Sequence, residues 1–509
     1  MLECGVMSGH RVLLAAGLLY ILVTNVIWMI IDTRPPFWDM AYHQSTALRM
    51  HDAFVNEGLR AFALVPHLSG GYPLLYPLLV AFFYLLFGTS IDVAQAVNLP
   101  AIAVLMFATY GIAKRVLPPM QAAWAGVLVL FYPYMLWLSR ETIIEYWLSA
   151  FVALAVLALY RTDDFSNLRI SLLFGVVCGL GMLTKTTFFL YLALPTLWFA
   201  RKNWKNAAIS AVPALVIGSY WLLPQWAAFR EYLKGTAMFG RVEGDPDVFT
   251  WQSVLYYVRA LEGYEIFLPL FVLFIAGAIC ALRLKNRQWV PVFIWIVGGS
   301  FALMLIQNKD PRFYAPLLSA VAIISAATLV RFRLTLALLV PLLLFQHYLV
   351  SFGIRSLPEA VVVVHGTKGF FDWNWNLYTQ TYFGLWGGPA HEDWQVEHVL
   401  GAVADAERPV TLGMIPTIPR FDPEAFEFYI AQHKYKIEVR RLWNSDVASL
   451  GNNDYILMCE NDQGYATLFS NEMPKLNAFI QENPDRFHLV ERFTLPNADV
   501  IRLYKVRRS

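Results

Sequence analysis

The feature that most constrains this chain is its run of apolar stretches about 20 residues long, the length a helix needs to cross a bilayer core. Eleven can be drawn, at 11–31, 93–113, 119–138, 143–160, 168–184, 185–200, 206–224, 264–282, 289–306, 313–330 and 333–352. Composition agrees: 58% of the 509 residues are hydrophobic and 15% are charged, against about a quarter charged in soluble domains. The chain reads as a membrane protein. Its first stretch is too long for a signal-peptide core and has no small-residue cleavage site after it, so it reads as a retained helix. A net charge of +2 leaves no large field for nucleic acid. The four cysteines, Cys4, Cys178, Cys280 and Cys459, are too scattered for a disulfide framework or a zinc site.

Charge sorts the connectors. Lys114/Arg115, Arg161/Arg169, Arg201/Lys202/Lys205, Arg283/Lys285/Arg287 and Arg331/Arg333 are short and basic, which by the positive-inside rule faces them to the cytoplasm. They alternate with 32–92, 139–142, the turn at Lys185, 225–263 and 307–312. The N-terminus then lies inside and everything after about residue 353 outside. The segment Tyr72–Gly88 is apolar but short, with Pro73 and Pro77 in its first turns. Counting it as a span would invert every later connector, so a re-entrant or interfacial helix is expected.

The expected fold is a polytopic all-α membrane bundle of about eleven transmembrane helices, residues 1–352, with long external loops 32–92 and 225–263. An extracytoplasmic α/β domain follows over 353–509. That domain starts with an aromatic-rich stretch, 369–386, suited to anchoring at the membrane interface. Strand-like runs at 410–415, 436–442, 455–459 and 500–506 then alternate with helix-like ones at 423–434 and 474–483. No glycine-rich phosphate loop follows a strand, so no nucleotide is assigned. A docking or acceptor-presenting role is the plainer reading.

Several polar residues fall on the outer side under this topology. Asp39, in RPPFWDMAYHQ, follows the prolines that end the first span and opens a segment of helical spacing. A partly desolvated carboxylate there suits a general base, and equally a helix N-cap. Arg140, Glu141 and Glu145 sit at the outer end of a hairpin, where charges face a bundle interior or pair locally. The spacing of Glu141 and Glu145 puts them on one helix face. Two carboxylates raise a divalent metal, yet nothing else has ligand spacing, so no cofactor is assigned and a divalent metal stays open. Lys185, in GLGMLTKTTFF, has no acid near it in sequence; an unpaired lysine there calls for an anion such as a lipid phosphate, or snorkels to the headgroups. Lys309, Asp310, Arg312 and Tyr314 open a late span with an irregular, proline-bounded start. His43, His51 and His67 match no metal spacing and read as solvated loop histidines.

Together these residues resemble the GT-C superfamily of glycosyltransferases, in its family 39-like branch with the protein O-mannosyltransferases and the lipid A aminoarabinose transferase. The likeness rests on a long first loop with an aspartate after the first helix, YPLLYPLLVAFFYLLFGTS, SRE followed by an acid, GLGMLTK and RFYAP, and it covers about residues 11–330. It implies a polyprenyl-phosphate-linked sugar as donor, inverting transfer to an acceptor hydroxyl on the outer face, and no nucleotide sugar. It makes Asp39 the catalytic aspartate, Lys185, Arg312 and Arg140 the donor-phosphate contacts, and Glu141, Glu145, Tyr42, His43 and Tyr314 the site lining. The first-loop acidic pair common in the family is here Asp39-Met40, which removes one acceptor contact. Sugar and acceptor stay open; a bacterial cytoplasmic membrane is the expected location. A transporter or flippase of a lipid-linked glycan is the alternative, although the chain shows no inverted repeat.

Overall fold

A computed structural model describes residues 8–507 except 285, 331–332, 355–359, 365–372, 379–387, 406, 444, 469 and 471. Lys285, Arg331 and most of the aromatic stretch 369–386 therefore lie outside the described residues. Contacts divide the chain into two compact units. The first comprises residues 1–30, 69–76 and 95–389; the second comprises 31–68, 77–94 and 390–509. The units do not follow a single cut near residue 352, because part of the first loop groups with the C-terminal sheet domain.

In the first unit, helices occupy all eleven apolar intervals. Five are long and apolar enough alone to cross a bilayer: Gly9–Ile31, Ile91–Ala113, Ile144–Arg161, Arg287–Met304 and Pro311–Leu329. Shorter apolar helices include Pro119–Phe131, Leu168–Thr184, Phe188–Ala200 and Phe267–Arg283. The chain is thus a multi-pass membrane protein. The interval 119–138 is not one continuous helix. It breaks at extended Tyr132, before Pro133, since a proline clashes with a helical residue ahead of it.

Small residues set the tightest packing. A side chain at Gly175 would collide with the carbonyl of Ser210, and one at Gly179 with Ile217. Helix Leu168–Thr184 therefore lies directly on helix Trp204–Leu222 along a Gly-x-x-x-Gly stripe. Close backbone approach of this kind substitutes for the hydrophobic drive that lipid removes. Beyond Leu222 the chain turns by 85° into helix Trp226–Val242, so the loop 225–263 is itself largely helical, with a second helix at Trp251–Ala260.

The first unit also holds a two-stranded antiparallel ladder, β1 (Ala360–Val364) with β2 (Trp373–Tyr378). In the second unit the strands are β3 (Val410–Met414), β4 (Ile437–Arg441), β5 (Tyr455–Cys459), β6 (Phe487–Thr494) and β7 (Val500–Val506), in the order β4-β3-β5-β7-β6. The first three run parallel, and β7 runs antiparallel to both its neighbours, β5 and β6. Helices Val396–Val403, Pro423–His433 and Met473–Glu482 accompany the sheet. Its core mixes strand residues Leu412, Met414, Leu457, Ile501 and Leu503 with Val399, Leu400 and Phe426 from the helices. The four expected strands and two expected helices are present, and β6 and helix Val396–Val403 join them. Residues 77–87, the body of helix Leu75–Phe87, belong to this unit too: Phe82 packs on Phe54 and Phe62, and Tyr84 edges onto His51.

Candidate active site

Two sets of residues emerge, one in each unit. In the first, Lys185 is the C-cap of helix Leu168–Thr184, in extended conformation, before the chain turns back into helix Phe188–Ala200. It is not unpaired. Its Nζ donates to Glu145 Oε1 at 2.5 Å, and both residues are buried. The sequence could not show this pairing, because the partners lie 40 positions apart and meet only when helices Ile144–Arg161 and Leu168–Thr184 pack. Lys185 Nζ also sits 4.3 Å from the centroid of the Phe313 ring. The Phe313 carbonyl accepts a hydrogen bond from Tyr191 Oη at 2.7 Å.

Phe313 thus joins Lys185 to the next predicted cation, Arg312. The Arg312 guanidinium donates to Asp310 Oδ2 at 2.7 Å, while Asp310 Oδ1 accepts from the Arg312 backbone N–H at 2.8 Å and caps the turn Pro311–Leu317. Tyr314 is buried, accepts from Ser300 Oγ at 3.1 Å and stacks on Tyr257 at 5.9 Å. Lys185 and Glu145 therefore meet beside Phe313, the residue between Arg312 and Tyr314, and Lys185 and Arg312 each carry a carboxylate.

Arg140 has other commitments. It is 2% exposed, with Nε donating to Asn25 Oδ1 at 2.9 Å and Nη2 to Ser351 Oγ at 2.6 Å, and it lies over the Trp28 ring. Asn25 in turn donates to Ser139 Oγ at 2.8 Å. These contacts tie the 139–142 turn to the helices at 9–31 and 333–352. Glu141 and Glu145 do not share a helix face. The helix starts at Ile144, and Glu141 lies in the turn before it, its carbonyl accepting from Asn98 Nδ2 at 2.7 Å.

One residue escaped the sequence reading. Glu265 ends a π-helical turn, Leu261–Glu265, and is fully buried, with neither carboxylate oxygen hydrogen-bonded among the described residues. It lies within electrostatic reach of Tyr191 and Tyr314. Phe267, two residues on, is held at φ 62°, a conformation costly for a bulky residue. An acid at the start of an apolar span was the available signal.

In the second unit, the segment before Asp39 is fastened at successive points. Thr33 N–H donates to the Ala390 carbonyl at 3.0 Å, and Asp32 Oδ1 accepts from the Ala390 N–H at 3.0 Å and from Arg34 Nε at 2.6 Å. Arg420 Nη1 donates to the Pro35 carbonyl at 2.9 Å. Trp38 N–H donates to Asp422 Oδ1 at 3.3 Å, and that same oxygen caps helix Pro423–His433 through the Ala425 N–H at 3.1 Å. Trp38 is held at φ 44°, in the left-handed region that a bulky residue enters only when its surroundings fix it. Helix Trp38–Glu57 starts there with Phe37 as N-cap. Asp39 is therefore not the cap; it is half-buried in the first turn, where the helix dipole favours a carboxylate. Tyr42 is half-buried beside His43, and His43 is 1% exposed. His43 is thus no solvated loop histidine, whereas His67 is exposed. This unit also has a cleft of about 370 Å³ between Thr33, Pro35, the 391–397 segment and Tyr429.

A sequence model of the family described as dolichyl-phosphate-mannose-protein mannosyltransferase matches residues 72–225. Among curated proteins no sequence relative matches. Solved structures do. ArnT from Cupriavidus metallidurans bound to undecaprenyl phosphate superposes with a TM-score of 0.61 at 14% identity, covering 98% of each chain. The archaeal oligosaccharyltransferase AglB from Archaeoglobus fulgidus, in complex with an inhibitory peptide and a dolichol-phosphate, gives 0.54 at 12% identity over 98% of this chain and 74% of that one. At such identities the likeness speaks for the fold. The chain has the fold of the GT-C superfamily of glycosyltransferases and resembles the protein O-mannosyltransferase and ArnT members of it.

Proposed function

We propose that the chain is a glycosyltransferase that moves a sugar from a polyprenyl-phosphate donor to an acceptor hydroxyl on the outer face of a membrane, with inversion. The observation that carries this reading is the placement of buried Lys185 4.3 Å from the ring of Phe313, the residue that follows Arg312 in the chain, within a fold whose ArnT example is bound to undecaprenyl phosphate. Each cation is neutralised by its own carboxylate, Glu145 or Asp310. A phosphate arriving there takes over part of that pairing, and Arg312 offers the planar fork that matches phosphate oxygens.

In the mechanism, Asp39 accepts the proton of the acceptor hydroxyl as its oxygen attacks the anomeric carbon. The bond from that carbon to the phosphate oxygen breaks, and its electron pair leaves on the lipid phosphate. Lys185 and Arg312 stabilise the charge that develops there, the kind of preorganised electrostatic help that usually dominates catalysis. The sugar passes through an oxocarbenium-like state, as in glycoside chemistry. Arg140 serves by holding the 139–142 turn rather than by touching the donor.

The test is binding of polyprenyl phosphate to purified protein. Arg312→Gln should weaken it about tenfold or more, the scale of a charged hydrogen bond, with the helical circular dichroism unchanged. Unaltered affinity in that variant would sink the phosphate assignment.

A further inference from the structure

Far from any assigned role in the reaction, the first unit has a cavity of about 490 Å³ lined by Phe107, Tyr110, Gly111, Lys114, Arg115 and Arg161. Its position follows from two helix ends. Lys114 and Arg115 follow helix Asn98–Ala113, and Arg161 closes helix Ile144–Arg161. Both helices lie in spans apolar enough to cross a bilayer, so their ends belong at the headgroup boundary. Gly111 lets them converge: a Cβ there would stand 2.9 Å from Leu157, so the second helix occupies the room that a side chain would take.

The charge at this mouth has one sign. Among the described residues none of Lys114, Arg115 and Arg161 takes part in an ion pair. The nearby Asp164, which could have answered them, is bound by Lys202 at 2.5 Å. Three exposed cations beside one another repel, and a compensating anion relieves that cost. Lys114 Nζ lies 5.4 Å from the Tyr110 ring centroid. Below the cations the wall becomes apolar: Tyr110 is half-buried and Phe107 is 49% exposed. Basic residues at span ends also set topology and complement helix dipoles, but neither role needs a shared cavity with an aromatic floor.

We infer that this cavity is a binding site for an anionic phospholipid, the phosphate held by Lys114, Arg115 and Arg161 and the start of an acyl chain lying on Tyr110 and Phe107. Basic pockets between transmembrane helices recognise such headgroups, at about one kcal/mol per cation.

The experiment uses full-length protein in detergent, with lipid binding read by native mass spectrometry and by the rise in melting temperature. The probes are phosphatidylglycerol, phosphatidylcholine and inorganic phosphate. Phosphatidylglycerol should bind at least about tenfold tighter than phosphatidylcholine. Each single variant, Lys114→Gln, Arg115→Gln or Arg161→Gln, should weaken it about fivefold, and the triple variant should lose the preference. These side chains are exposed, so the variants fold as the parent does. Equal binding of the two lipids, or a preference surviving the triple change, overturns the site. Displacement of the lipid by inorganic phosphate at equal ionic strength would make it a phosphate site and overturn the lipid assignment.

Discussion

The two cation clusters of the helical unit treat the same charge in opposite ways. Lys185 is buried and bound to Glu145, and Arg312, partly buried, is bound to Asp310. Lys114, Arg115 and Arg161 are exposed and share no carboxylate among the described residues. A charge taken out of water must be met or it costs several kcal/mol, whereas one left in water needs no partner. The first cluster therefore carries anions of its own, and an incoming phosphate must compete with them. The second has charge to spare. The difference separates buried cations held by carboxylates from exposed cations that share none among the described residues.

The largest expected effect breaks the buried pair. Lys185→Ala leaves Glu145 buried without its partner and should cost about 3–5 kcal/mol of stability, read from denaturant unfolding, together with loss of transfer. By contrast, alanine at Lys114 or Arg115 should move stability by no more than about 0.5 kcal/mol. Equal losses in the two clusters would erase the distinction.

A smaller effect concerns an acid beside the first cluster. Glu243 keeps an exposed face, but partial loss of water, then Asp245 and Asp310, push its carboxyl up to about 7, and Arg312 opposes them. Asp245 Oδ2 accepts from the Lys309 N–H at 2.6 Å, which latches the loop 225–263 to the turn that carries Arg312. For an acid raised in the folded state the neutral form is favoured. Its contribution is therefore complete below the ordinary carboxylate range and is lost as pH rises through about 7. Hydrogen exchange at 240–250 and 307–312, corrected for intrinsic rates, should show protection falling between pH 6 and pH 8. Glu243→Gln should flatten that change; an unchanged pH response in the variant would assign it elsewhere.

What was legible in the sequence was what is local. Apolar length placed a helix in every expected interval, and strand runs such as VTLGM and YILMC stand where alternation put them. β6 was missed because FHLVERFT is exposed along most of its length and gives little apolar signal. The pairing of Lys185 with Glu145, the capping of Trp38 by Asp422 and the capture of Arg140 by Asn25 and Ser351 join residues 40, 384, 115 and 211 positions apart. No window along the chain sees such contacts. The same blindness made Glu141 and Glu145 look like one helix face, since only the fold shows that the helix starts at Ile144.

Lipid-donor transfer with Asp39 as base meets its sharpest test in a single assay. Purified protein is given a labelled polyprenyl-phosphate sugar pool from its source membrane, and label transfer and free lipid phosphate are followed in the native protein and in Asp39→Asn. The native protein should release lipid phosphate and transfer label, and the variant should do both about a hundredfold or more slower, the scale of a lost general base. Release undiminished in Asp39→Asn would contradict the role of Asp39. No release from the native protein across a broad donor pool would contradict the transferase itself and favour a carrier that moves lipid-linked sugar without cleaving it.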